Sequence, residues 1–289
     1  MSDFHGLPTA ILKNNQLQLE YLTTAGPRIV GLSFRGSPNL LADIHDISWE
    51  TPYGKYFILG GHRLWVAPEI PEITDIPDKS GLQSLEFPGG VELIGEHEPG
   101  SGVRKTLRVE LDAAKPIVRL THTVLNENPG AITIAPWAIT MFNLGGTVIL
   151  PQPIVDADVN SLTDIRLIAL WSYTRIGDPR LILRDDFILI RATPGLPRLK
   201  IGYSNTANWL AYWWGGLLFR ISFDLLTDAT YPDRGCNTES YCDERIVELE
   251  TLGPLEILAP GAASHLVETW ELQEGLNASF IPEDLKELL

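Results

Sequence analysis

The 289-residue sequence predicts an all-β fold, a large antiparallel β-sandwich, on three observations. Apolar and polar residues alternate in short runs. Twenty-five Gly and 21 Pro punctuate the chain throughout, and helical periodicity is scarce. Alternation of period two puts apolar side chains on one sheet face and polar ones on the other. Such runs, separated by turn signals at intervals of roughly 8–12 residues, are the pattern of a sandwich or barrel.

The runs follow one another along the chain. Residues 84–87 and 91–94 flank Pro88-Gly89-Gly90, a hairpin turn. Leu107, Val109 and Leu111 alternate with Arg108, Glu110 and Asp112. His122 shares the register of Val118, Leu120 and Val124, which reads as a core histidine. Residues 134–146 read as a buried strand entering a glycine turn. Asp185-Asp186 separates two further short runs, 181–183 and 187–190. Phe219, Ile221 and Phe223 alternate with Arg220, Ser222 and Asp224, and Val247 and Leu249 with Glu248 and Glu250. The clearest helical pattern is a short C-terminal helix over 282–289, where Pro282 pre-sets the first turn. Residues 164–170 are a weaker helical candidate. With no fixed-period repeat and no linker, the chain reads as one domain over 1–289.

Charge narrows the partners. Lys and Arg number 22 against 37 Asp and Glu, a formal charge of −15. Long-range repulsion then disfavours nucleic acid and anionic membrane surfaces, and leans against a strongly anionic ligand. The longest nearly uncharged apolar stretch, 209–219, is shorter than the roughly 20 residues a membrane helix needs. No secretory leader is visible at the N-terminus, so Cys236 and Cys242 are expected to be reduced and the compartment cytoplasmic. Phosphate-binding glycine loop, nucleophile elbow, HExxH and Rossmann fingerprints are all missing, and no cofactor is expected.

Four segments concentrate groups suited to a small polar ligand. In Gly60-Gly61-His62-Arg63-Leu64-Trp65-Val66-Ala67-Pro68-Glu69, Trp65 offers a flat stacking face and Arg63 a rigid donor fork. His62 can exchange a proton near neutrality, and Glu69 adds an acceptor. The alternative is a structural loop in which Trp65 plugs the core and Arg63 pairs with Glu69. Trp137 and Asn143 mark the second segment, and Asp233 and Glu239 the third, a polar loop beside a strand. In the fourth, Glu248 and Glu250 point the same way along a strand. If enclosed, their mutual repulsion makes one a usable acid or base; if open, they are a wetted strand face. Lys200, between Leu199 and Ile201, is a solvent-facing strand lysine or a ligand-binding one. No metal is assigned, although carboxylates at 239, 248 and 250 would suit calcium or magnesium if they converged.

Taken together, these segments resemble the galactose mutarotase-like superfamily over roughly residues 15–275. The opening Ala25-Gly26-Pro27-Arg28-Ile29-Val30-Gly31 is similar to its first hairpin. The closest resemblance is to a subgroup carrying Gly-Gly-His-Arg-Leu-Trp, then Glu-Leu-Glu-Thr-Leu-Gly-Pro, Leu-x-Pro-Gly and Glu-x-Trp, here ending at Glu268-Thr269-Trp270. The resemblance implies a galactose mutarotase-like supersandwich with a sugar cleft on one sheet, and aldose 1-epimerase-like chemistry on a small carbohydrate. In that chemistry a glutamate deprotonates the anomeric hydroxyl while a histidine protonates the ring oxygen. By resemblance Glu250 falls on the glutamate's position. The family's His-x-Tyr-Phe-Asn-Leu run reads Ile139-Thr140-Met141-Phe142-Asn143-Leu144 here, so Ile139 replaces the acid. The expected site therefore has Glu250 as base and His62 as substitute acid, with Arg63, Trp65, Glu69, Trp137, Lys200, Asp233, Glu239 and Glu248 binding substrate. The competing expectation is a sugar-binding protein without turnover.

Overall fold

The computed structural model describes residues 2–152 and 166–275. Two large sheets face one another, an 11-stranded front sheet and a 10-stranded back sheet, with all strand pairs antiparallel. This is the expected all-β sandwich. The centre of the front sheet runs, side by side, through Arg28–Phe34, His62–Ala67, Ile132–Asn143, Ile246–Leu252, Thr238–Cys242 and Leu199–Tyr203. The centre of the back sheet holds Trp209–Trp214, Leu217–Phe223, Ala263–Glu274, Ile117–Asn126 and Val103–Leu111. Both expected hairpin turns are present, joining Gln83–Phe87 to Gly90–His97 and Leu181–Leu183 to Phe187–Arg191. The apolar stretch 209–219 is a hairpin too, its strands paired from Trp209↔Ser222 onward.

Between the sheets lies the main core, with Leu17, Leu19, Ile29, Phe142, Val247 and Leu249 from the front and Leu107, Leu120, Phe219 and Trp270 from the back. Phe219 sits 5.0 Å from Phe142 and 5.2 Å from Trp270, ring centroid to centroid, so three aromatic rings lock the sheets together. Each such contact adds about 0.5–1.5 kcal/mol beyond burial alone.

A second layer of packing covers the outer face of the front sheet. The two-stranded hairpin Asp43–Thr51 and Gly54–Gly60 lies outside both large sheets. Its Ile44 joins Trp137, Ile139 and Met141 in a separate apolar cluster, with Ile47 and Ile58 packed against it. The expected C-terminal helix at 282–289 and the beginning of the 164–170 helical candidate lie outside the described residues. The remainder of that candidate is corrected: Ile168–Leu170 is an edge strand paired with Leu199–Tyr203. Its pairing groups are satisfied by a neighbouring strand, which no local helical pattern can reveal. Both cysteines are free and buried. Among the described residues no helix is long and apolar enough to cross a membrane.

Candidate functional site

Strand register decides which side chains meet on the outer face of the front sheet. Ile139 pairs with both Arg63 and Glu250, and Glu250 pairs in turn with Glu239. One step along, Met141 pairs with Glu248, Glu248 with Tyr241 and Tyr241 with Lys200. Because directly paired residues project to the same face, these groups line up across five neighbouring strands. Val247 and Leu249, one residue out of phase, face the main core instead.

Lys200 is the hub. Its Nζ donates to Glu250 Oε2 at 2.8 Å and makes an ion-pair contact with Glu239 Oε2 at 2.7 Å. The same Glu250 oxygen accepts from Trp137 Nε1 at 2.9 Å. The ammonium also lies 4.5 Å from the Trp137 ring and 4.8 Å from the Trp171 ring, within cation–π range. Glu239 and Glu250 are fully buried, and Lys200 is 4% exposed. Two carboxylates thus share one cation in a water-poor setting. Among the described residues, neither Glu239 oxygen accepts a well-directed hydrogen bond and Glu250 Oε1 has no partner. Gly202 leaves room for this array: a Cβ there would lie 2.9 Å from Cys236 Sγ and 3.0 Å from Glu239 Cγ.

The electrostatics follow from burial and crowding. Burial and the Glu250 charge push Glu239 well above the ordinary carboxylate range despite Lys200. Burial, then Glu250, raises Glu248 to about 8. Burial by itself would lower Lys200, but Glu250 and Glu239 outweigh it and raise it. Glu69 is raised by burial and by Glu250, with Lys200 opposing, and Asp233 adds to the repulsion on both Glu69 and Glu239. Since Glu248 binds its proton more tightly folded than unfolded, its contribution to stability declines as pH rises from about 4.5 to about 8. Glu248→Gln is expected to remove about 1–3 kcal/mol of that decline, discounted for its partial exposure. Urea denaturation at several pH values from about 5 to 9 measures it; an unchanged slope in the variant would refute the shift. Glu239, with the same sign, leaves a residual slope.

Arg63 and Trp65 share this outer face, the guanidinium 3.7 Å from the Trp65 ring centroid. Arg63 donates to the Tyr56 hydroxyl, so its partner is not Glu69. Asp233 and Arg234 adopt left-handed backbone, φ 48° and 67°, a conformation costly for residues with a Cβ.

His62 is placed differently from expectation. Its neighbour in the adjacent strand is Thr140, so it faces the main core, on the opposite side of the sheet from Glu250. There it bonds Thr140 Oγ1 at 2.9 Å and His122 Nε2 at 2.8 Å. The acid role assigned to His62 is corrected by this placement: a full sheet thickness separates it from the carboxylates. Period-two alternation is the reason, because His62 and Arg63 are consecutive residues of one strand. Nor do the carboxylates converge on an inorganic cation, since the Lys200 ammonium occupies the point between Glu239 and Glu250. Two aromatic residues near the site, Trp171 and Tyr173, escaped the sequence reading. Trp171 borders Lys200, while Tyr173 and Tyr241 stand edge to face with centroids 6.5 Å apart. The only hint was aromatic density in Trp171-Ser172-Tyr173.

The sequence matches no protein-family model and no curated protein. Solved structures do match in fold. A galactose mutarotase-like protein from Lactobacillus casei superposes with a TM-score of 0.61 at 10% identity, covering 92% of this chain and 100% of that one. The Slr1438 protein of Synechocystis gives 0.59 at 11% identity over 93% and 96% of the two chains. A candidate aldose 1-epimerase from Escherichia coli K12 gives 0.55 at 12% identity over 93% and 100%.

Proposed function

On the galactose mutarotase-like fold that this chain adopts, we propose that it binds a carbohydrate on the outer face of the front sheet, at Glu239, Glu250 and Lys200. The observation that carries this reading is acceptor capacity that no described residue fills, at Glu239 Oε1 and Glu250 Oε1, on two buried carboxylates. Buried acceptors left without donors are costly, and vicinal sugar hydroxyls supply donors in the spacing such an array offers. Lys200 gives the complementary donor to a hydroxyl or ring oxygen. Trp65, Trp171, Tyr173 and Tyr241, all partly exposed, offer apolar faces to the C–H side of a sugar ring. Because Trp137 and Trp171 border the Lys200 ammonium, ligand binding there is expected to change tryptophan fluorescence.

Binding without turnover takes precedence over epimerisation because Ile139 stands beside Glu250 and His62 faces the other way. One observation favours turnover as the second reading. Glu248, held protonated toward pH 8 beside Glu250, is a carboxylic acid able to protonate a ring oxygen while Glu250 Oε1 takes the anomeric proton. Proton NMR of free aldoses, uronic acids and short oligosaccharides with the protein separates the two. Line broadening of one class without faster anomeric exchange is the expected result. Accelerated exchange that disappears in both Glu250→Gln and Glu248→Gln would establish turnover instead. No change in any sugar's spectrum, with no fluorescence response, would overturn the carbohydrate reading.

A further inference from the structure

A cluster of polar groups sits at the centre of the main core, where apolar packing is the rule. From the front sheet come His62, Thr140 and Thr251, and from the back sheet His122, Glu268 and Trp270. All six are buried, at 2% exposure or less. The nearest ligand atoms of His62, His122 and Glu268 all lie within 4.8 Å of one another. The two imidazoles meet through their Nε2 atoms. Each outer nitrogen is already engaged, His62 Nδ1 with Thr140 Oγ1 at 2.9 Å and His122 Nδ1 with the Leu266 carbonyl at 3.0 Å. Glu268 accepts from Thr251 Oγ1 and, at 2.8 Å, from Trp270 Nε1.

Charge is what remains unbalanced. Glu268 is 1% exposed, and among the described residues no lysine or arginine pairs with it. A buried carboxylate needs a compensating cation.

We propose that His62 Nε2, His122 Nε2 and a Glu268 oxygen bind a zinc-type divalent cation between the two sheets. Two neutral imidazoles and a carboxylate form a borderline nitrogen–oxygen donor set suited to zinc. The outer contacts fit the same occupant. With metal on both Nε2 atoms, each Nδ1–H donates outward, His62 to Thr140 and His122 to the Leu266 carbonyl, the arrangement that orients metal-binding histidines. Thr251 and Trp270 fix Glu268 in the same way. The two Nε2 atoms, 2.8 Å apart, need only a small separation to admit an ion at zinc–nitrogen distances of about 2.0–2.1 Å. With no access from the outer face, such an ion is a structural clasp, joining strand His62–Ala67 to strands Ile117–Asn126 and Ala263–Glu274. It is independent of the carbohydrate site.

The test uses zinc itself. Full-length protein is produced in zinc-supplemented medium, desalted, and its metal counted by mass spectrometry; a second sample is unfolded and refolded with zinc or cobalt(II). About one zinc per chain is expected, together with visible d–d absorption of the cobalt form. Glu268→Gln and His122→Ala, each checked for folding by circular dichroism, are expected to lower metal content at least roughly tenfold. His45→Ala, in the exposed His5, Asp43 and His45 cluster, is the control and leaves it unchanged. Wild type lacking zinc after both routes, and no cobalt spectrum on refolding, would overturn the proposal even if the variants fail to fold. Retention of the ion in folded Glu268→Gln and His122→Ala would overturn it equally.

Discussion

Lys200→Met is expected to lose about 3–5 kcal/mol of folding stability at neutral pH, the cost of breaking a buried ion pair from one side. The loss is large because Lys200 compensates two carboxylates, Glu239 and Glu250, that are themselves fully buried. Without the ammonium they face each other with, among the described residues, only the Trp137 indole donating to Glu250. The pH dependence has a definite sign. In the variant the folded Glu239 carboxyl binds its proton more tightly than the unfolded one, so stability falls as pH rises above the ordinary carboxylate range near 4.5. Below that range both states are protonated and the difference from wild type shrinks. Urea denaturation near pH 4 and pH 7 measures both numbers. A loss under about 1 kcal/mol at pH 7 would mean that water or another group already compensates the pair. Adding Glu239→Gln should recover part of the loss, since contacting residues show coupling energies of about 0.5–3 kcal/mol.

Gly61→Ala should be nearly as damaging, by about 2–5 kcal/mol from overpacking and left-handed backbone strain combined. Leu59, Gly60 and Gly61 have φ of 62°, 90° and 72°, three left-handed residues in succession. They carry the chain from the covering hairpin into the front sheet and set which side chain of the next strand faces which way. A Cβ on Gly61 would lie 2.1 Å from the Ile29 carbonyl oxygen, a backbone atom that cannot step aside. Its amide and carbonyl are both engaged too, with Ala42 O at 3.0 Å and Met141 N at 2.9 Å. Thermal and urea denaturation of the variant give the magnitude. A loss below about 1 kcal/mol would show that the corner relaxes freely. Since the corner fixes the strand's phase, the variant should also weaken any ligand binding that involves Arg63 and Trp65.

Much of the fold was legible because alternation is a local signal. The hairpin at Pro88-Gly89-Gly90, the core register of His122 and the opposite faces of Leu249 and Glu250 all come from period two and turn chemistry. The same rule applied to Gly60-Gly61-His62-Arg63 separates His62 from Arg63. The glycine pair made that segment look like a loop, in which consecutive side chains can converge. Lys200 illustrates the opposite case. Its alternation with Leu199 and Ile201 showed that it faces away from the core but not that aromatic rings and carboxylates would enclose it. That enclosure depends on residues far apart in sequence, such as Trp137, Trp171, Glu239 and Glu250.

By itself, the sequence determined the all-β class, the hairpin turns and the sets of residues sharing a strand face, because those depend on neighbours along the chain. Tertiary structure alone decided that Glu239, Glu250 and Lys200 form one buried array, and that His62 meets His122 and Glu268 inside the sandwich. The reason is physical: strand order and the covering hairpin bring together groups distant in sequence, and burial then sets their charge, their hydrogen bonds and their chemistry.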